Sequence, residues 1–217
     1  MIHELLPVGV SARERIGPGD TDIQLFAQEA AVVARAVGTR RREFAAVRGC
    51  ARQALAEIGV AAVPLLPGDH GAPQWPPGVV GSMTHCAGYC AAAVARSSEF
   101  RGIGIDAEPN RPLPPGVLAQ IASPAEVLQL PTLRAERPDV CWDTLLFCVK
   151  ESVFKVWFPL HLCWLGFLDV TVHLDLIAGS FSIDFLPSAP AATDRQLDPM
   201  IGRWSRCDGF LLSAAIV

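Results

Sequence analysis

This 217-residue sequence predicts an α+β protein in two halves of similar size that meet near residue 109. Helical patterns and short β-patterned runs follow one another in mixed order, and the proline-rich stretch Pro109 to Pro115 could connect the two halves. Composition is the other observation. Hydrophobic residues at 51% against 18% charged, with mean hydropathy +0.32, provide a large core and exclude disorder. A chain of this length buries roughly 70% of its unfolded surface and needs no disulfide or metal staple.

Residues 1–20 show no clear period, and Gly17-Pro18-Gly19 marks a turn. Asp20 to Val37 reads as a helix broken by Gly38. A second helix is expected over Thr39 to Ile58, with Thr39 as N-cap, Glu43 in its first turns and Gly59 past its end. Pro64 to Gly78 is rich in proline and glycine and reads as an extended loop. A strand starts at Val79, Gly81 to His85 reads as turn-like, and strands follow at Ala91 to Arg96 and Arg101 to Glu108. A short helix fits Pro124 to Leu130, and a long one fits Trp142 to Phe158, closed by Pro159. Strand patterns then cover Asp169 to Leu174, Ser180 to Phe185 and Gly209 to Val217. The apolar run Leu160 to Leu168 reads as core, punctuated by Pro159 and Gly166.

Several classes drop out. With 18 basic and 22 acidic residues, net −4, bulk charge does not favour nucleic acid. The most apolar stretch, Cys141 to Leu168, contains Asp143, Lys150, Glu151 and Lys155, so no membrane span is expected. The N-terminus lacks the basic region of a signal peptide, and seven cysteines without a framework suggest reduced thiols in a cytoplasm.

The chemistry concentrates in four places. Only two of the 18 basic residues are lysine, Lys150 and Lys155, which suggests that a compact ammonium is required there. On the strand Gly102 to Glu108, Asp106 and Glu108 share a face; paired carboxylates of this kind suit Mg²⁺, although a solvated strand end is the plain alternative. On the long helix, Glu151 and Lys155 fall opposite the core stripe, where a third carboxylate could complete the Asp106/Glu108 site. On the second helix, Arg41, Arg48 and Arg52 lie within about 40° of one another, flanked by Arg40, and such a stripe costs stability unless anions bind. The fourth place is Ser82, Thr84 and His85, whose hydroxyls and imidazole could hold phosphate. A zinc site from His85, Cys86 and Cys90 lacks a fourth ligand.

Gly-Ile-Asp106-Ala-Glu108, followed by Phe147-Cys-Val-Lys150-Glu151-Ser-Val-Phe-Lys155, resembles the 4′-phosphopantetheinyl transferases of the Sfp/EntD type. Arg40-Arg-Arg-Glu-Phe44 with Arg48 behind it, Trp75-Pro-Pro-Gly78, Gly81-Ser-Met-Thr-His85 and Trp157-Phe-Pro-Leu160 extend the likeness over about residues 30–166, with weaker agreement at Gly202-Arg-Trp204. The chain looks most similar to the actinobacterial enzymes that serve polyketide, nonribosomal peptide and lipid synthases. The resemblance implies two α+β halves, 1–108 and 109–217, in a pseudo-twofold arrangement with the active site in the cleft between them. It implies transfer of 4′-phosphopantetheine from coenzyme A to a serine of an apo acyl or peptidyl carrier protein, releasing adenosine 3′,5′-bisphosphate. In that reading Asp106, Glu108 and Glu151 hold Mg²⁺, Lys155 stabilises or protonates the departing phosphate, and Lys150 contacts phosphate or pantetheine. Arg40, Arg48, Ser82 and His85 grip the nucleotide phosphates, Glu126 acts as general base, and the enzyme is a cytoplasmic monomer. A non-catalytic carrier- or CoA-binding subunit that retains the fold is the alternative. The chain departs from the family pattern at His70, before Gly71-Ala-Pro73, where members often carry a phosphate-binding lysine.

Overall fold

The computed structural model describes residues 1–17, 23–187, 189 and 200–217. The elements run β1 (Ser11–Ile16), α1 (Ala27–Val32), α2 (Gly38–Glu57), β2 (Val79–Cys86), β3 (Tyr89–Arg96), β4 (Ile103–Pro109), α3 (Leu118–Ile121), α4 (Pro124–Glu136), α5 (Trp142–His161), β5 (Val170–Asp175), β6 (Ser180–Phe185), β7 (Ile201–Cys207) and β8 (Phe210–Ile216). They form two antiparallel sheets, ordered β1-β3-β2 and β4-β8-β7-β6-β5. The same path is traced twice. A strand leads into a 20-residue helix, and a later hairpin returns with its last strand in the middle: β1-α2-β2-β3, then β4-α5-β7-β8. The hairpin β5–β6 extends the second sheet.

Each long helix packs an apolar stripe on its own sheet. Val47, Ala51, Ala54 and Leu55 of α2 meet Ala92 and Val94 of β3, while Leu145, Val149, Val153 and Trp157 of α5 meet Leu211 and Ala215 of β8. The alanine run of β3 suits this contact, because small side chains let the α2 helix and the sheet approach closely. Helix α5 lies nearest to β4 at Gly104, where a Cβ would overlap the Ser152 carbonyl oxygen and crowd Val156. Gly104→Ala should therefore destabilise the fold by about 1–3 kcal/mol through overpacking. Urea unfolding measures it, and a midpoint unchanged from wild type would show that α5 has room to lift.

The sequence reading needs correction at several points. The expected Asp20–Val37 helix contributes only Ala27–Val32, and Asp20, Thr21 and Asp22 lie outside the described residues, as do Pro18 and Gly19 of the expected turn. Helix α2 is capped at Val37 rather than Thr39, but Gly59 past its end has the positive φ of +70° expected of a stop. Gly81 to His85 is not turn-like: it is the middle of β2. Pro159 does not close α5, which continues to His161 and ends on left-handed Leu162. Helix α4 runs six residues beyond Leu130, through Pro131. The carbonyl that a proline at 131 frees belongs to Val127, on an exposed turn where water can satisfy it. Strands β1 and β7 were not expected. The run 160–168 is core only in part: Leu165 is buried and Leu160, Cys163 and Phe167 pack against the core, but Leu162 is 76% and Trp164 57% exposed. Strand β4 belongs to the second sheet, so the change of sheet falls between Arg96 and Ile103, ahead of the proline-rich stretch. No helix among the described residues is long and apolar enough to cross a membrane.

Candidate active site

The two sheets meet along β2 and β4, and two side chains of β2 tie them. Strand alternation puts Ser82 and Thr84 on one face. Ser82 Oγ accepts from Ile105 N at 3.1 Å, and Thr84 Oγ1 donates to Asp106 Oδ1 at 2.9 Å. The expected cluster of Ser82 with His85 is thereby divided, because His85 falls on the other side of the strand.

Alternation on β4 turns Ala107 into the core and aims Asp106 and Glu108 together at the seam. Across it, Lys155 of α5 donates to Asp106 Oδ1 at 2.7 Å and to the Ile105 carbonyl at 3.0 Å. The polar turn of α5 therefore faces β4 rather than open solvent, and Lys155 takes Asp106 as its partner rather than Glu151. Asp106 Oδ2 is buried with no hydrogen-bond partner among the described residues. Burial, and then the charge of Asp106, pushes the Glu108 carboxyl up to about 7, with Glu151 adding to the effect against Lys155 and Arg111. Burial also raises the Glu151 carboxyl, with Asp106 acting in the same direction and Lys155 opposing both. Burial alone would lower the Lys155 ammonium, but the charge and hydrogen bond of Asp106, with Glu151, hold it above its usual value.

Carboxylates that repel one another around an unpartnered oxygen form a hard, all-oxygen donor set, which fits Mg²⁺. Among the described residues no three His, Cys, Asp or Glu side chains stand close enough to hold an ion as they are. Asp106, Glu108 and Glu151 would have to draw inward around one.

A basic wall lies beside this cluster. Arg40 bonds His85 through Nη1 and Nε2, and Glu43 Oε2 stands 3.8 Å from the same imidazole nitrogen. Burial, then Arg40, lowers the His85 pKa despite Glu43. A cavity of about 360 Å³ is lined by Arg40, Phe44, Arg48, Met83, Thr84 and His85, among others. The rest of the arginine stripe does not wait for anions. Arg48 is buried over the Phe44 ring, donates to the Leu65 and Phe44 carbonyls, and lies 3.8 Å from Glu29. Arg52 pairs with the same buried Glu29 at 3.1 Å, and Arg41 donates to the carbonyl of Val33. Glu29 offsets part of the charge of Arg48 and Arg52, the latter 23 residues away in sequence, a relation that helical periodicity does not carry.

The remaining expected residues lie next to one another, since Lys150 and Glu151 line one cavity with His70. His70, at φ +50°, packs its ring edge-on to Phe158 and tilted to Trp164, at centroid distances of 5.0 and 5.4 Å. It lines two cavities that Glu151 and Phe154 also line, one of them shared with Ser82 and Lys155. Glu126 and Lys150 instead occupy each other. The buried Lys150 ammonium donates to Glu126 Oε2 and to the carbonyls of Ile121, Phe167 and Val170, all within 3.0 Å. Glu126 also accepts from Ser123 N at 2.6 Å and Val172 N at 2.8 Å. In this arrangement the pair joins α4, α5 and β5. Two signals in the sequence point that way. Ser123-x-x-Glu126 has capping-box spacing, and Lys150 shares a helical stripe with the buried Leu146, Val153 and Trp157.

A carboxylate set and a lysine at the joint of two repeated halves, with an arginine–histidine wall beside them, define a protein built to handle phosphorylated ligands. The family description "4′-phosphopantetheinyl transferase N-terminal domain" matches residues 28–95, and that of the 4′-phosphopantetheinyl transferase superfamily matches residues 102–197. The chain is 49% identical over 219 residues to 4′-phosphopantetheinyl transferase Svp of Streptomyces mobaraensis, covering 100% of this chain and 89% of that one. It is similar to PptT of Mycobacterium tuberculosis (45% identical, 88% and 85% covered) and Npt of Nocardia iowensis (42%, 99% and 98%), both also named 4′-phosphopantetheinyl transferases. The chain belongs to the 4′-phosphopantetheinyl transferase family.

Proposed function

We propose that this protein transfers the 4′-phosphopantetheine group of coenzyme A to a serine hydroxyl of an apo acyl or peptidyl carrier protein, releasing adenosine 3′,5′-bisphosphate. The observation that carries the reading is Lys155 held against Asp106 beside Glu108 and Glu151, at the seam where the two sheets meet. A Mg²⁺ ion on Asp106, Glu108 and Glu151 would neutralise and orient the pyrophosphate of coenzyme A. Lys155, fixed by two oxygens, stays protonated and offers its charge to the phosphate that departs. Arg40 and His85, with Arg48 behind them, bind the nucleotide phosphates; Ser82 keeps β4 in place against that wall. Glu126 and Lys150 act as positioning residues for α5. Phosphoryl transfer of this kind draws its acceleration from positioning and charge. The reading includes a monomeric, cytoplasmic enzyme serving polyketide, nonribosomal peptide or fatty-acid synthases, and the seven free cysteines suit a reducing compartment. The non-catalytic alternative is not favoured, since a binding subunit has no use for mutually repelling carboxylates.

Mass spectrometry of an apo carrier panel incubated with protein, coenzyme A and Mg²⁺ tests the proposal. A phosphopantetheine adduct on a carrier serine is the expected result; coenzyme A binding with no adduct on any carrier would favour the binding subunit.

Two further outcomes follow from the site. A Glu108 raised to about 7 keeps its proton until neutral pH, so the stability it lends the metal-free protein is lost as pH rises from about 4.5 through 7. Mg²⁺ must displace that proton, so its apparent affinity should be about tenfold weaker at pH 6 than at pH 8. Thermal-shift titrations at the two pH values measure the ratio, and equal affinities would remove Glu108 from the ligand set. At the other end of the cleft, His70 stands where the family often carries lysine, and it lines a cavity with Ser82 and Lys155. His70→Lys should tighten coenzyme A binding, measured by calorimetry at one fixed pH. An unchanged Kd would leave His70 only its aromatic contacts.

A further inference from the structure

A second hollow, of about 570 Å³, opens on the far side of β2 and β3 from the carboxylate seam, lined by Arg15, Arg42, Glu43, His85, Cys86 and Cys90, among others. Its floor contains Cys90, 6% exposed, and directly behind it lies Cys50 of α2, fully buried, with the two sulfurs 3.9 Å apart. The two thiols in the hollow are unequal. The hydrogen bond from Cys50 lowers the Cys90 pKa, and Arg15 lowers it further against burial. Cys86 is pushed up to about 12 by burial and the carboxylates beyond it. Cys50 is raised too, so the pair is arranged as one nucleophile with a protonated partner behind it.

We propose that Cys90 and Cys50 form a peroxide-reactive thiol pair reached through this hollow, with hydrogen peroxide as the oxidant. Cys90 sulfur attacks one peroxide oxygen, the O–O bond breaks, and the departing hydroxide takes a proton to leave as water. The resulting Cys90 sulfenic acid is attacked by Cys50 sulfur; the S–O bond breaks, and a second water leaves with the Cys50 proton. Two thiols are oxidised to one disulfide, and one peroxide is reduced to two waters. The sulfurs must close from 3.9 Å to about 2.05 Å. Side-chain rotation and a small shift of α2 over β3 supply this. Oxidation would therefore register at the basic wall, since α2 carries Arg40 and Glu43, and Cys90 lies opposite His85 in the β2–β3 register.

The test exposes the folded full chain to hydrogen peroxide and then maps its peptides. The expected product is a Cys50–Cys90 linked peptide, with loss of two of the seven thiols that is reversed by a dithiol reductant. In Cys50→Ser, which keeps a hydroxyl donor beside Cys90 but removes the resolving thiol, a sulfenic-acid probe should label Cys90 roughly tenfold faster than Cys86. Oxidation confined to Cys141, Cys163 and Cys207, or label on Cys86 in preference to Cys90, would overturn the proposal. The wild-type peptide map decides it even where the variant fails to fold.

Discussion

Asp106→Asn is expected to lower kcat/KM for carrier modification at least about 10³-fold while leaving the fold standing. Asp106 Oδ1 receives both Thr84 and Lys155, and Oδ2 lies buried and unpartnered among the described residues. An amide in its place removes the countercharge of Lys155 and a hard oxygen ligand from the metal set. The same change relieves the charge that helps to raise Glu108 and Glu151. Lost hydrogen bonds and lost repulsion thus oppose each other in stability but not in catalysis. Single-turnover adduct formation beside a thermal melt separates the two, and activity within tenfold of wild type would dissolve the assigned site.

Lys150→Met should be the most destabilising of these substitutions, by about 3–5 kcal/mol, because it leaves Glu126 as a buried carboxylate without its cation. For a chain of this length that corresponds to a fall in Tm of roughly 6–20 °C. Three carbonyls, those of Ile121, Phe167 and Val170, lose a donor in the same step. Replacing Glu126 and Lys150 together by apolar residues of similar volume should recover much of the loss, since a missing pair costs less than a broken one. Urea unfolding of the single and double variants measures the difference. A single variant as stable as wild type, but unable to bind coenzyme A, would return Lys150 to the phosphate.

How far the sequence foretold this arrangement differs from residue to residue. Alternation on β4 and one turn of α5 sufficed to bring Asp106, Glu108, Glu151 and Lys155 into view, because strand and helix periods are local. Thr84 was seen only as a hydroxyl near His85; its bond to Asp106 needed the seam, which no local pattern describes. The same limit hid Glu29 behind the arginine stripe. Strand β7 escaped because its buried positions are Gly202 and Trp204, with Arg203 between them, an alternation in which one inward residue has no side chain to reveal it. Pro159 was read as a stop, but the helix carries it one turn from its end, where few intrahelical bonds remain to be lost.

The ties from Ser82 to Ile105 and from Thr84 to Asp106 set a mechanical condition on turnover. They join two hydroxyls of one sheet to a backbone amide and a carboxylate of the other, so the cleft cannot gape along this line without stripping Thr84 from Asp106 and Ser82 from Ile105. Opening the cleft and unseating that carboxylate are one movement here. A bulky protein substrate must therefore present its serine to the open mouth on a protruding segment, and the halves stay locked throughout the visit. Selection among carriers then falls on how far that segment reaches and how narrow it is, rather than on the strength of any embrace.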